Sequence, residues 1–161
     1  MAKEKVPVTP AVRMLRAEKV SFSDHLYAYE EKGGTSVSSR ELGVEEHAVI
    51  KTLVMEDENH RPLVVLMHGD LQVSTKELAR IIGVKQVTPC AAERAQKLSG
   101  YMVGGTSPFG FRTDMNVYME ESISHVPKIF INGGKRGYLV GMEPAELVRV
   151  LKPVLVTVGI R

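Results

Sequence analysis

The sequence predicts a mixed α+β fold: a partly open, barrel-like mixed sheet with helices packed around it. Two observations carry this. Val49–Glu56 and Pro62–His68 are strand-like runs separated only by the polar stretch Asp57-Glu58-Asn59-His60-Arg61, so they read as a direct antiparallel hairpin. Capped helical segments are interspersed among further short strands, and the hairpin excludes a purely parallel βαβ wind.

In chain order, Thr9-Pro10 supplies an N-cap hydroxyl followed by proline at the first helical position, so a helix begins there and runs to about Lys19. Ser21–Tyr29 alternates and contains aromatics, so it reads as a strand with Phe22, Asp24, Leu26 and Ala28 on one face and His25, Tyr27 and Tyr29 on the other. Gly33-Gly34 breaks the chain, and Thr35 or Ser36 caps a short helix ending at Gly43. After the hairpin, Ser74-Thr75-Lys76-Glu77 fits a capping box opening a helix to Ile82, with Gly83 past its end. Val84–Val87 is a short strand, and Thr88-Pro89 opens a helix that stops before Gly100. Tyr101–Val103, Val117–Met119, Lys128–Asn132 and Tyr138–Met142 are short strands, Glu143–Leu151 is a helix, and Val154–Val158 is the last strand.

The 161 residues suit one domain, expected over residues 9–161 behind a flexible tail of residues 1–8. Hydrophobic residues are 43% and charged residues 25%, as in folded globular proteins. The longest apolar stretches, such as Pro62–Met67, are far below the roughly 18 residues of a membrane helix. The first seven residues have no apolar core of a secretory signal, so a cytoplasmic location is expected. The single Cys90 excludes an internal disulfide and a cysteine-based zinc site, and the five histidines show no close ligand spacing, so no metal and no cofactor is expected. With 21 basic and 19 acidic residues the net charge is +2, which excludes a uniformly basic nucleic-acid binder but allows a local basic patch.

Three segments can carry chemistry. Lys51 shares a strand face with Leu53 and Met55, which makes it at least half buried. Such a lysine either snorkels its ammonium to water or aims a point charge at a phosphate or a polarised carbonyl. Eight of the 14 glycines lie between Gly100 and Gly141, and two of them follow an apolar strand in Gly104-Gly105-Thr106-Ser107-Pro108-Phe109-Gly110. That loop can bring backbone N–H groups close to an anion or carbonyl oxygen, or can be a bare connector. Asn132-Gly133-Gly134-Lys135-Arg136-Gly137 reads as a hairpin turn at Gly133-Gly134, with Lys135 and Arg136 placed either to reach phosphates or to sit in solvent. Ser107 has no adjacent base, which argues against a serine triad. Cys90 falls at a helix N-terminus in this reading but has no histidine partner, so it reads as structural.

The order Thr9-Pro10-Ala11, Ser21-Phe22 with Tyr27 beyond, Leu42-Gly43, Lys51-Thr52-Leu53, the run Gly100–Gly110 and Gly133-Gly134-Lys135-Arg136-Gly137 resembles the YbaK family, free-standing relatives of the editing domain of prolyl-tRNA synthetase. The resemblance implies the barrel-like fold of that family and trans-editing deacylation of a mischarged tRNA, foremost cysteine on the proline tRNA and also on the cysteine tRNA. It implies Lys51 and Gly104 as the catalytic pair at the tRNA 3′ end. It implies Tyr27, Gly105, Thr106, Ser107, Asn132, Lys135 and Arg136 as substrate-binding residues, and prolyl-tRNA synthetase as a partner. Cleavage would proceed by attack of the substrate's own thiol, giving a thiolactone, or by water. Two positions depart from the cysteine-active pattern: Asn132 stands where a Ser or Thr is usual, and Leu139 where an acid is usual. The alternatives are a deacylase for another small amino acid, a non-catalytic tRNA- or synthetase-binding module, and a small-nucleotide binder using the Lys51 pocket.

Overall fold

The computed structural model describes residues 6–161. Residues 1–5 of the expected tail lie outside the described residues, while Val6 packs against the core and Val8 is exposed. Among the described residues there are five α-helices, α1 (Pro10–Ala17), α2 (Gly34–Leu42), α3 (Thr75–Ile82), α4 (Ala92–Ser99) and α5 (Pro144–Leu151), and two short 3-10 helices. The strands are β1 (Ser23–Leu26), β2 (Val49–Asp57), β3 (Pro62–His68), β4 (Gln72–Val73), β5 (Val87–Pro89), β6 (Asn116–Glu120), β7 (Ile129–Lys135), β8 (Tyr138–Met142), β9 (Val154–Val156) and β10 (Gly159–Ile160).

Eight strands make one mixed sheet ordered β1-β8-β7-β2-β3-β6-β9, with β5 paired to β2, and β10 pairs β4 separately. The predicted hairpin is present, with Lys51 opposite Met67 and Leu53 opposite Val65. β2 lies parallel to β7, with Ile50 beside Ile131, and β7 runs antiparallel to β8, with Asn132 opposite Leu139. One face of the sheet meets α1 and α5 through Leu15, Phe109, Ile131 and Leu147. The other meets α3 through Leu78, Val65 and Met67, and a smaller cluster holds Val49, Phe130 and Leu139 with Tyr27 beside them.

Local chemistry explains the helix starts. Thr9 caps α1, its Oγ1 accepting from Val12 N–H at 3.1 Å, and Ser74 caps α3 by accepting from Glu77 N–H at 3.3 Å. α2 differs from expectation: Gly33 is its N-cap and makes no side-chain cap. The Thr35 hydroxyl is taken instead by Glu46 Oε2 at 2.6 Å, and Ser36 bonds back to Gly33 O.

Several expectations are corrected. β1 ends at Leu26, because beyond it the chain bonds the hairpin tip through Tyr27 N–H to Gly137 O at 2.9 Å. The short strand near residue 84 forms at Val87–Pro89, so Thr88-Pro89 continues a strand paired to Glu56 and Met55 and does not open α4. Cys90 is therefore not at a helix N-terminus. Tyr101–Val103 is no strand: Tyr101 turns inward and donates to Phe109 O at 2.5 Å, while Met102 and Val103 are exposed. The glycine pair Gly133-Gly134 lies inside β7 at an irregularity between Asn132 and Lys135, and the turn is formed by Arg136-Gly137. The last strand stops at Val156, and a separate β10 follows.

Candidate functional site

Strand β2 forms one wall of an open cleft of about 680 Å³. Val49–Met55 contribute to it, with α2 on one side and the loop 103–106 on the other. The parallel register of β2 and β7, carried one residue past Ile50–Ile131, places Lys51 beside Asn132, and Asn132 is opposite Leu139. Lys51, Asn132 and Leu139 thus form a transverse row across three neighbouring strands, all within the cleft.

Lys51 is half-buried. Burial pushes its ammonium pKa below that of an ordinary lysine, while the carboxylates of Glu46 and Asp70 act in the opposite direction and favour the charged form. Sequence reading missed these two acids, because no local pattern ties residues 46 and 70 to position 51. They arrive through the turn before β2 and the turn after β3.

The loop after α4 lines the cleft through Val103, Gly104 and Thr106. Gly104 has φ +88°, a left-handed conformation that favours glycine, and a Cβ there would lie 2.5 Å from the Tyr29 hydroxyl, so that ring end would have to move aside. At Gly105 a Cβ would lie 2.8 Å from the Arg136 backbone nitrogen, which lets the loop pack directly on the β7–β8 hairpin. Two side chains lock that contact. Asn132 Nδ2 donates to Gly104 O at 3.1 Å, while its Oδ1 accepts from the N–H groups of Gly134 at 2.7 Å and Lys135 at 3.1 Å. Arg136 Nε donates to Val103 O at 2.8 Å, and its guanidinium lies 5.1 Å from the centre of the Tyr29 ring.

Of the sequence-predicted site residues, Lys51, Gly104, Tyr27, Thr106, Asn132 and Arg136 line the cleft together. Gly105, Ser107 and Lys135 do not line it. Ser107 is fully buried and its Oγ accepts from Phe109 N–H at 3.2 Å, a role internal to the loop. Gly105 N–H is spent on Met102 O, and the Lys135 side chain is exposed on the hairpin. Burial raises the Tyr27 hydroxyl pKa, so Tyr27 stays a neutral phenol. Cys90 lines the cleft, and burial together with the negative charge of Glu56 raises its thiol pKa.

One cluster of metal-ligating types exists among the described residues: His47, His68 and Asp70, with ligand atoms within 4.8 Å of one another. Its geometry suits a hydrogen-bonded cluster better than an ion. The two imidazoles stack at 3.7 Å with 7° between planes, so their in-plane lone pairs cannot converge well on one point. His68 Nδ1 already meets His47 O at 2.6 Å and Nε2 meets Ser122 Oγ at 2.7 Å.

Residues 31–150 match the family described as the aminoacyl-tRNA editing domain. Among curated proteins, the chain is 30% identical over 150 residues to an Enterococcus faecalis protein bearing the provisional name Cys-tRNA(Pro)/Cys-tRNA(Cys) deacylase EbsC, covering 92% of each. It is 31% identical over 112 residues to the proline–tRNA ligase of Thermodesulfovibrio yellowstonii, covering 70% of this chain but 18% of the ligase. Among solved structures, the hypothetical protein APE2540 superposes with a TM-score of 0.86 at 21% identity, covering 94% of this chain and all of the other. A structure provisionally described as a trans-editing enzyme for prolyl-tRNA synthetase superposes with a TM-score of 0.81 at 20% identity, covering 96% of this chain and all of the other. At these identities the two structures establish the shared fold.

Proposed function

This chain belongs to the aminoacyl-tRNA editing domain family, and from that membership we propose that residues 9–161 act as one trans-editing deacylase on the 3′ end of a mischarged tRNA. Cysteine on tRNA(Pro) is the leading substrate and cysteine on tRNA(Cys) the second, as the name of the Enterococcus relative suggests. The observation that carries the reading is that Lys51 and Gly104, distant in sequence, line one cleft.

An aminoacyl ester is already activated, so the protein has to hold the terminal ribose and stabilise charge developing on the carbonyl oxygen. The Lys51 ammonium supplies a positive charge in a partly desolvated site, where it acts more strongly than in water. Val103, Gly104 and Thr106 line the same cleft, with Val103 held by Arg136 and Gly104 by Asn132. For a cysteinyl ester, the substrate thiolate attacks the carbonyl carbon and a C–S bond forms. The C–O bond to the ribose breaks, the ribose oxygen takes a proton, and the products are a thiolactone and free tRNA. For other amino acids, water attacks in place of the thiol and the free amino acid leaves.

A proline-tRNA synthetase is the proposed partner, because the curated relatives include synthetases that contain a segment similar to this chain. The net charge of +2 fits this, since a weak uniform field leaves tRNA selection to local contacts or a partner. A cytoplasmic site of action belongs to the same proposal. No helix among the described residues is long and apolar enough to cross a membrane.

The test is release of labelled amino acid from tRNA(Pro) charged separately with cysteine, alanine and proline. Release of cysteine with sparing of proline is expected. Release from none overturns the reading.

A further inference from the structure

Two stretches of the chain, residues 94–113 and 122–142, contain no Asp or Glu, although the whole chain has 19 such residues. The fold packs these stretches together. Arg136 Nε donates to Val103 O, Asn132 Nδ2 donates to Gly104 O, and Gly105 lies against the Arg136 backbone. Cations of both stretches therefore collect around one loop, on a chain whose net charge is only +2. Lys135 and Arg136 are exposed on the hairpin. Arg112 is exposed beside Gly100, where its Nε would lie 3.5 Å from an added Cβ. Lys97 is exposed on the last turn of α4, next to Gln96, whose side chain accepts from Val103 N–H at 3.3 Å. None of these four cations is ion-paired among the described residues.

Between them the loop exposes Met102 at 59% and Val103 at 45%. Val103 lines the cleft and Met102 does not, so the loop runs from the cleft wall to the outer surface. An apolar pair among uncompensated cations suits a ligand with regular negative charge and flat apolar faces, which is single-stranded nucleic acid. A duplex keeps its base faces stacked and out of reach. The other exposed charged stretch of the cleft wall, Glu30-Glu31-Lys32, carries two carboxylates where this one has none. Charge therefore favours a phosphate chain on the side of Met102.

We infer that Lys97, Arg112 and the exposed Met102–Val103 loop, with the Lys135–Arg136 hairpin beside them, receive the single-stranded 3′ tail of tRNA upstream of its terminal nucleotide. The cations meet phosphates and Met102 meets a base. This rests on the deacylase reading above and adds to it a surface outside the cleft that carries the rest of the substrate.

The experiment compares clearance of cysteinyl-tRNA(Pro) with clearance of the cysteinyl ester of adenosine alone, which has the reacting bond and no tail. In the double variant Lys97→Gln/Arg112→Gln, neither altered residue lines the cleft. Its KM for the tRNA should rise about 10-fold with kcat unchanged, while clearance of the adenosine ester stays at the wild-type rate. The slope of log KM against log salt, between about 50 and 200 mM, should fall by about 1.4, at about 0.7 for each phosphate contact on a single strand. Met102→Ser should raise KM for the tRNA about 5-fold and leave that slope unchanged. Thermal melting checks that each variant is folded. A KM within about twofold of wild type in the folded double variant, or an equal loss on the adenosine ester, overturns the inference and leaves the deacylase reading standing. A loss that appears only when prolyl-tRNA synthetase is added assigns the surface to that protein and also overturns the inference. Clearance of neither substrate by the wild-type protein removes the deacylase reading and this inference with it.

Discussion

Asn132 donates its side-chain N–H to the carbonyl of Gly104 at 3.1 Å, joining the β7–β8 hairpin to the glycine loop at the wall of the cleft. The same amide ties the irregular end of β7 through Gly134 and Lys135. Together with Arg136, which donates to Val103 O at 2.8 Å, this side chain holds together two segments that sequence reading treated as separate candidate sites. Its amide holds the cleft wall more than it offers itself to a ligand.

Asn132→Asp keeps both acceptor contacts and turns the donor facing Gly104 O into a repelling oxygen. Turnover of cysteinyl-tRNA(Pro) should fall about 10-fold, corresponding to the loss of one solvent-accessible positioning hydrogen bond of about 1 kcal/mol. The melting temperature should change little, because the sheet register does not depend on this contact. Steady-state kinetics with a kcat and KM split checks it, and a variant with wild-type kcat refutes the positioning role.

Gly104→Ala forces a Cβ into a left-handed backbone and against the Tyr29 hydroxyl. The left-handed backbone is strained by about 1–2 kcal/mol, and the Tyr29 ring or the loop must give way. Deacylation should be lost before the fold is. Circular dichroism melting and turnover measured together separate the two effects.

Lys51→Ala should abolish deacylation and leave the protein folded. Lys51 has a folded pKa below its unfolded value. The unfolded chain therefore binds more protons between those two values, and the charged lysine costs stability at neutral pH. That cost is recovered as pH rises through the lowered pKa. Lys51→Met is accordingly expected to melt at or above the wild-type temperature at pH 7, with the gap closing at alkaline pH. Near wild-type turnover in Lys51→Ala would sink the assignment.

His68 has no exposed surface, and both its ring nitrogens are engaged. Burial lowers its pKa most. The His47 carbonyl opposes this, the His47 ring adds to it, and the charges of Asp70 and Glu120 oppose it. The folded state holds the neutral ring while the unfolded chain takes up a proton near pH 6.5, so stability is lost as pH falls below that value. A melting series from pH 7.5 to pH 5, compared with His68→Gln, should show a shallower acid decline in the variant. Parallel curves would refute the assignment.

Cys90 lines the cleft, yet its thiol pKa is raised. Alkylation by iodoacetamide at pH 7.5 should be slower than for a free cysteine and should speed up as pH rises. Mass spectrometry of the modified peptide reads this directly, and rapid labelling at neutral pH would contradict it.

Much of the fold was legible because its signals are local. The Thr9 and Ser74 caps, the hairpin over residues 49–68 and the helix expected over Glu143–Leu151 each depend on residues a few positions apart. The misreadings share one cause. Tyr101–Val103 has strand-like residues but no pairing partner, since the Tyr101 hydroxyl is drawn inward to Phe109 O. Thr88-Pro89 carries a helix-start signal, yet β2 offers an open edge at Met55–Asp57 and takes it as a strand. Gly133-Gly134 suits a tight turn, but the Asn132 oxygen binds the Gly134 and Lys135 N–H groups and moves the turn to Arg136-Gly137.

The chemistry of the site follows the same division. Lys51, the glycine loop and the basic hairpin can be named from residue types and order, because charge and backbone freedom belong to the residues themselves. Their meeting in one cleft belongs to the sheet, where the parallel pairing of β2 with β7 lays Lys51, Asn132 and Leu139 in one row. The same folding brings Glu46 and Asp70 into the field of Lys51 and puts Ser107 out of reach inside its own loop. Distance and desolvation decide what a charged or polar group can do, and both arise only when segments far apart in the chain pack together.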